Sequence, residues 1–208
     1  MNPEKLVHAQ TVEALFLRAF ENRLTPACRQ ALKKAGLDLE QKLERTYSLE
    51  QWKDFLRIAA AHVYGGVPAE AAYYSLGERF MDAWFGTFFG RALLGVAKLA
   101  GPRRLLLHAG RGFRAGNTFS EVTVVERGPT SLELGMNDVL ADQPTFAAGL
   151  LARAVELAGG WRAVAIPEGF DGTTCTFHIR WSEAPAAVAA LNGSATADGQ
   201  AAGSRPRA

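Results

Sequence analysis

Near Arg114 the hydrophobic period of this chain changes, and an all-helical or all-strand architecture cannot accommodate both sides of that change. Before it, apolar residues recur at the three- and four-residue spacing of helices; after it, they alternate as in strands with one buried face. Val12, Leu15, Phe16, Ala19 and Phe20 predict a helix over Thr11 to Asn22. Thr25-Pro26 reads as an N-cap with proline at the first helical position, and Gly36 is placed to end that helix. Ser48 with Gln51 has the form of a capping box ahead of Leu49, Trp52, Phe55, Leu56 and Ala59. Gly65-Gly66 interrupts the pattern, Pro68 opens a helix through Tyr73, Leu76, Phe80 and Trp84, and another runs from Gly90 to Gly101-Pro102.

Beyond Arg114, Thr118 to Glu126 alternates and is rich in valine, Arg127-Gly128-Pro129 is turn chemistry, and Ser131 to Met136 reads as the partner strand of a hairpin. An amphipathic helix over Phe146 to Leu157 ends at Gly159-Gly160. Two strands follow, Trp161 to Ile166 and Thr174 to Trp181. Helices followed by ββαββ predict an α+β fold with an antiparallel sheet. We read one domain over residues 1–183, helical over 1–112 and ββαββ over 113–183. An Ala/Gly-rich tail, 184–208, is expected to be disordered apart from a short helix around Ala186 to Leu191.

Composition narrows the class of protein. With 48% hydrophobic and 21% charged residues, the chain can bury a substantial core. Cys28 and Cys175 match neither a zinc pattern nor a disulfide framework, the N-terminal decapeptide is polar, and no long apolar run escapes charge or glycine. A cytoplasmic protein without a transmembrane segment is expected.

Catalytic signatures are absent. His8, His62, His108 and His178 show no metal-ligand spacing, so no metal is expected, and no GxSxG elbow is present. His178 is out of phase with Phe177 and Ile179 and should lie on the polar face of its strand. Cys28 sits near a helix N-terminus, a position that lowers a thiol pKa, but no base accompanies it in sequence. Gly110 to Gly116 has the look of a phosphate-cradling loop without the Lys-Ser/Thr of a P-loop. No nucleophile–base pair can be named, and we expect no enzyme.

Charge and aromatics remain. Between Ala83 and Ser120 the chain carries Arg91, Lys98, Arg103, Arg104, Arg111 and Arg114 and no acidic residue, although its overall net charge is only +2. Such a window can form an anion-binding surface, read here as Arg103, Arg104, Arg111 and Arg114 facing an acidic protein or anionic ligand. Aromatics are not interleaved with these cations, so nucleic acid is not expected. Trp52, Phe55, Tyr73 and Tyr74 read as core. Trp84, Phe85, Phe88 and Phe89 form a denser group that predicts either core or an apolar pocket, whose candidate lining is Phe80, Trp84, Phe88 and Phe89.

Several segments together resemble a known family. Thr11 to Phe16, Leu24 to Pro26, Ala35 to Leu39, Ala72 to Phe80, Gly101 to Arg104, Phe113 to Asn117, Phe146 to Leu151 and the strand ending at Trp181 are similar, in order and spacing, to an uncharacterised paralogous family expanded in myxobacteria. A more distant likeness is to the haem–nitric-oxide-binding domain and its vinyl-reductase and Golgi transport-complex relatives. Leu76-Gly77 to Phe80 and Phe146 to Leu151 carry that likeness, and His108 falls near its proximal haem ligand. That family holds the haem propionates with a Tyr-x-Ser-x-Arg motif. The matching positions here are Leu134, Met136 and Asp138. None supplies a hydroxyl or a guanidinium, and Asp138 would repel a propionate. No cofactor is therefore expected. The functional reading is a non-catalytic regulatory or signalling module with a basic surface. Its alternative is a small-molecule or lipid sensor whose pocket is lined by Phe80, Trp84, Phe88 and Phe89, with a haem gas sensor as its special case.

Overall fold

Local signals close the helices of the first half much as their sequences dictate. The computed structural model describes residues 4–21 and 23–183, so the tail 184–208 with its expected helix lies outside the described residues. In α2 (Pro26–Lys34) the Thr25 hydroxyl accepts from the Cys28 amide at 3.2 Å. The helix ends on Gly36 at φ 99°, where the Leu37 amide donates to the Leu32 carbonyl and Gly36 to Lys33. This is the paired closure that a left-handed residue after the C-cap permits. Helix α3 (Leu49–Val63) carries the complete capping box: Gln51 N donates to Ser48 Oγ at 3.1 Å and Ser48 N to Gln51 Oε1 at 3.0 Å.

Two features of the N-terminal region differ from the sequence reading. Strands β1 (Leu6–His8) and β2 (Thr46–Ser48) pair antiparallel, Val7 opposite Tyr47. Three residues each is too short for alternation to register. The expected first helix begins as α1 (Ala9–Val12) and continues as a π-helix over Glu13–Ala19, with the Phe20 amide reaching back to the Leu15 carbonyl. This wider turn places Leu15, Phe16 and Phe20 in the core, with the Phe16 ring edge-on to Trp52 and Phe55 at 6.2 and 6.1 Å.

Helix α4 (Ala69–Phe85) packs on α7 (Thr145–Leu157) at a reciprocal glycine contact. Gly77 meets the Phe146 carbonyl and Gly149 meets the Tyr74 carbonyl, so the two backbones approach closer than any side chain would allow. Residues Phe146 to Ala152 of α7 are all buried, as befits a helix covered on both sides. Its other neighbour is the sheet.

Among the described residues the larger sheet comprises β3 (Val122–Gly128), β4 (Ser131–Met136), β5 (Trp161–Glu168) and β6 (Cys175–Ser182), ordered β3-β4-β6-β5 and antiparallel throughout. Leu132, Leu134, Met136, Phe177 and Ile179 point into the core. Its outer face is polar around His178, which lies between Glu133 and Glu168 as its phase predicts. The register slips between Glu126 and Gly128 in β3 and between Trp161 and Val164 in β5, where Arg162 adopts φ 50°. The α+β fold class expected from the sequence is the one observed.

Helix α5 (Phe88–Leu107) and α6 (Ala109–Gly116) join the two halves. The expected stop at Gly101-Pro102 is a break: Gly101 takes φ 80°, and the helix resumes at Pro102. Gly110 to Gly116 is helix rather than a phosphate-type loop. It is held by buried Phe113 and by the Thr11 hydroxyl, which donates to the Gly116 carbonyl at 2.9 Å. Gly116 lets the backbone approach Thr11 closely.

Candidate functional site

The break at Gly101 bends α5 so that the chain from Leu93 to Phe113 walls one side of a cavity of about 420 Å³. Helix α4 contributes Phe80, Met81, Trp84 and Phe85 to the opposite side, and α7 closes it with Leu150, Leu151 and Ala154. Of the four aromatics named from the sequence, Phe80 and Trp84 line this space. The side chains of Phe88 and Phe89 lie outside the described residues. Met81, Leu93, Ala97 and Leu151 were not singled out, although Met81 shares the helical face of Phe80 and Trp84.

The polar groups converge from one side. Arg104, His108 and Arg111 all line the cavity, whereas no Asp or Glu does among the described residues. Arg103 turns away and pairs with Glu126 on β3, and Arg114 is exposed outside the lining. The four arginines read as one surface are thus divided: two at the cavity, one tied to the sheet, one facing solvent. His108 occupies the junction of α5 and α6, and its ring makes no hydrogen bond or ion pair with a described residue.

Other candidates fall away on geometry. Cys28 is fully buried, and desolvation pushes its thiol up with Arg29 opposing only in part, the reverse of the activation that a helix N-terminus would give. Burial raises Cys175 as well. Among the described residues no group of three or more His, Cys, Asp or Glu side chains could hold a metal ion, and no helix is long and apolar enough to cross a membrane.

Residues 5–182 match a family model described as a protein of unknown function, DUF2378. The chain belongs to this family. No curated protein sequence matches it. The fold of this DUF2378 chain is nonetheless shared with solved structures. An Fe(II) unliganded H-NOX protein from K. algicida superposes with a TM-score of 0.62 at 19% identity, over 84% of this chain and 96% of that one. An H-NOX protein from S. oneidensis in the Fe(II)NO state gives 0.60 at 10% identity, over 83% and 96%. An oxygen-binding H-NOX domain related to soluble guanylate cyclases gives 0.57 at 10%, over 84% and 92%. The distant likeness read from the sequence is therefore a likeness of fold.

Haem is the group such a fold implies, and the residues present test it. A ring nitrogen is available at His108, on the cavity wall. The propionate anchors are not. Leu134 and Met136 are buried in the core, and Asp138 is bonded to Lys5 at 2.5 Å in a separate polar crevice with Glu4 and Ser48. The site does not fit haem held as the H-NOX-like motif would hold it.

Proposed function

We propose that this DUF2378 domain is a non-catalytic sensing module whose ligand is a small hydrophobic molecule held between α4, α5, α6 and α7. One observation carries the reading: an apolar cavity of about 420 Å³ at the α5–α6 bend, within the range of roughly 300–1,000 Å³ typical of small-molecule sites. The H-NOX likeness supports it, since those proteins are described in liganded and unliganded states in the same fold. His108 stands at the cavity with no Ser, Cys, Asp or Glu beside it in the described lining, and the described residues hold no metal set, which favours sensing over catalysis. Occupancy would bias the bend at Gly101, because α5 is both a cavity wall and an outward-facing element.

Native mass spectrometry of the purified protein tests this, with an absorption spectrum of the same sample. A retained non-covalent ligand, lost when Ala97→Phe fills the cavity in a variant that still melts cooperatively, is the expected result. An unliganded mass and no change in melting temperature with hydrocarbon probes would overturn it. A Soret band abolished by His108→Ala would replace the reading with haem sensing.

The basic surface supplies a second reading, for the output. Arg91, Lys98 and Arg114 are exposed and make no ion pair with a described residue, so an acidic partner would find them available. Reversing Arg91 and Arg114 to Glu should abolish partner capture; unchanged capture removes this role.

A further inference from the structure

We infer that the cavity ligand is an anionic amphiphile, a hydrocarbon body whose carboxylate or phosphate head is received by Arg104 and Arg111. This rests on the cavity being a ligand site and names the class of ligand it takes. Arg104, His108 and Arg111 follow one another at helical spacing across the α5–α6 junction, and all three face the cavity. Neither arginine makes an ion pair with a described residue, in contrast to Arg103.

A guanidinium beside an apolar cavity has to be satisfied by water or by an anion. Arg104 and Arg111 are exposed as well as lining the cavity, and no carboxylate in the described lining offsets their charge. Apart from Thr11, Asn117 and the Trp84 indole, the remainder of the described wall is hydrocarbon and aromatic, with Phe80, Leu93, Leu151 and their neighbours, and it holds no second charged group. A ligand matching both parts carries its charge at one end only. The opening fits the same chemistry, since Val96 lines the cavity while 62% exposed, and Leu99, on the same helix, is 92% exposed. An alkyl chain entering there leaves water gradually.

Calorimetric titration with dodecanoate, dodecyl phosphate, dodecanol and dodecyltrimethylammonium tests the inference on the whole protein. Both anions should bind at least about tenfold more tightly than the alcohol, the worth of one charge-assisted hydrogen bond. The cation should bind more weakly than the alcohol. The order of the two anions separates a fatty acid from an alkyl phosphate as the source of the head group. Arg104→Gln with Arg111→Gln should reduce anion affinity to that of dodecanol and leave dodecanol unchanged, a readout that misfolding would not imitate. Trp84 lines the cavity, so a brominated fatty acid should quench tryptophan fluorescence in the wild type. If alcohol, anions and cation bind alike, the anionic head group is refuted while the cavity reading stands. If none of the four binds, the cavity reading fails with it.

Discussion

Replacing Gly77 by alanine asks how rigidly α4 and α7 are joined. In an ordinary helix interior the change is favourable, by about 1 kcal/mol in intrinsic propensity. Here a Cβ at residue 77 would lie 2.8 Å from the Leu150 amide nitrogen and closer still to the Phe146 carbonyl oxygen. Both are backbone atoms within α7, so no rotamer change can move them aside. Relief requires the helices to part by roughly 1.4 Å to restore ordinary contact with the nearer Phe146 oxygen. The sheet behind α7 resists that motion, and Gly149 fixes the same separation against Tyr74 from the other side. Overpacking costs about 1–3 kcal/mol, and a backbone clash belongs at the upper end. Less the propensity gain, the net loss is about 2 kcal/mol, or roughly 4–8 °C in melting temperature for a domain of this size. Thermal unfolding by circular dichroism measures it. Gly95→Ala in α5, where a Cβ meets nothing within 4 Å, supplies the control and should raise the melting temperature by up to about 4 °C. A Gly77→Ala protein as stable as the wild type would refute the close-contact argument.

The capping box predicts that Ser48→Ala lowers stability by about 1 kcal/mol in urea unfolding, because the Gln51 amide loses its acceptor. Phe146, fully buried with ring neighbours Trp52 and Phe80 at 6.2 and 6.1 Å, should cost about 3–5 kcal/mol on truncation to alanine, read as a lower urea midpoint. Burial, followed by the Glu156 charge, holds the Glu78 carboxyl above its ordinary value of 4.5, with Arg153 opposing. The fold therefore disfavours ionised Glu78, and wild-type stability at this site is full below pH 4.5 and falls as pH rises through the elevated folded value. Glu78→Gln should raise the melting temperature at neutral pH, with the advantage vanishing in acid. Equal differences at both pH values would refute the linkage.

Elements whose signals are local were legible in the sequence. Thr25-Pro26, Ser48 with Gln51, and the turn after Arg127 each combine a backbone requirement with a side chain that meets it. The β4 strand was placed at the residues where it is found, Ser131 to Met136. What escaped notice depends on distant partners. Strands β1 and β2 pair some forty residues apart, and β1 also bridges to Asn117. Helix α6 is rich in glycine and owes its form to Phe113 burial and to Thr11 across the fold. The site divided in the same way. Phe80, Trp84, His108 and the arginines were all named, but the aromatics and cations were treated as separate surfaces. The bend at Gly101 brings Phe80, Trp84, His108, Arg104 and Arg111 around one space and leaves Arg103 and Arg114 outside it.

Among the described residues the larger sheet has two open sides, β3 and β5, and each is irregular. An open strand with regular spacing exposes a row of amides and carbonyls onto which another chain can add, the usual beginning of edge-to-edge aggregation. Strand β3 slips register before Gly128. Strand β5 is bulged at Arg162 and carries Pro167, which has no N–H to donate. An incoming strand would find matched hydrogen-bonding groups for only a few residues before falling out of step. Copies of this domain at high concentration thus lack a continuous seam along which to zip together.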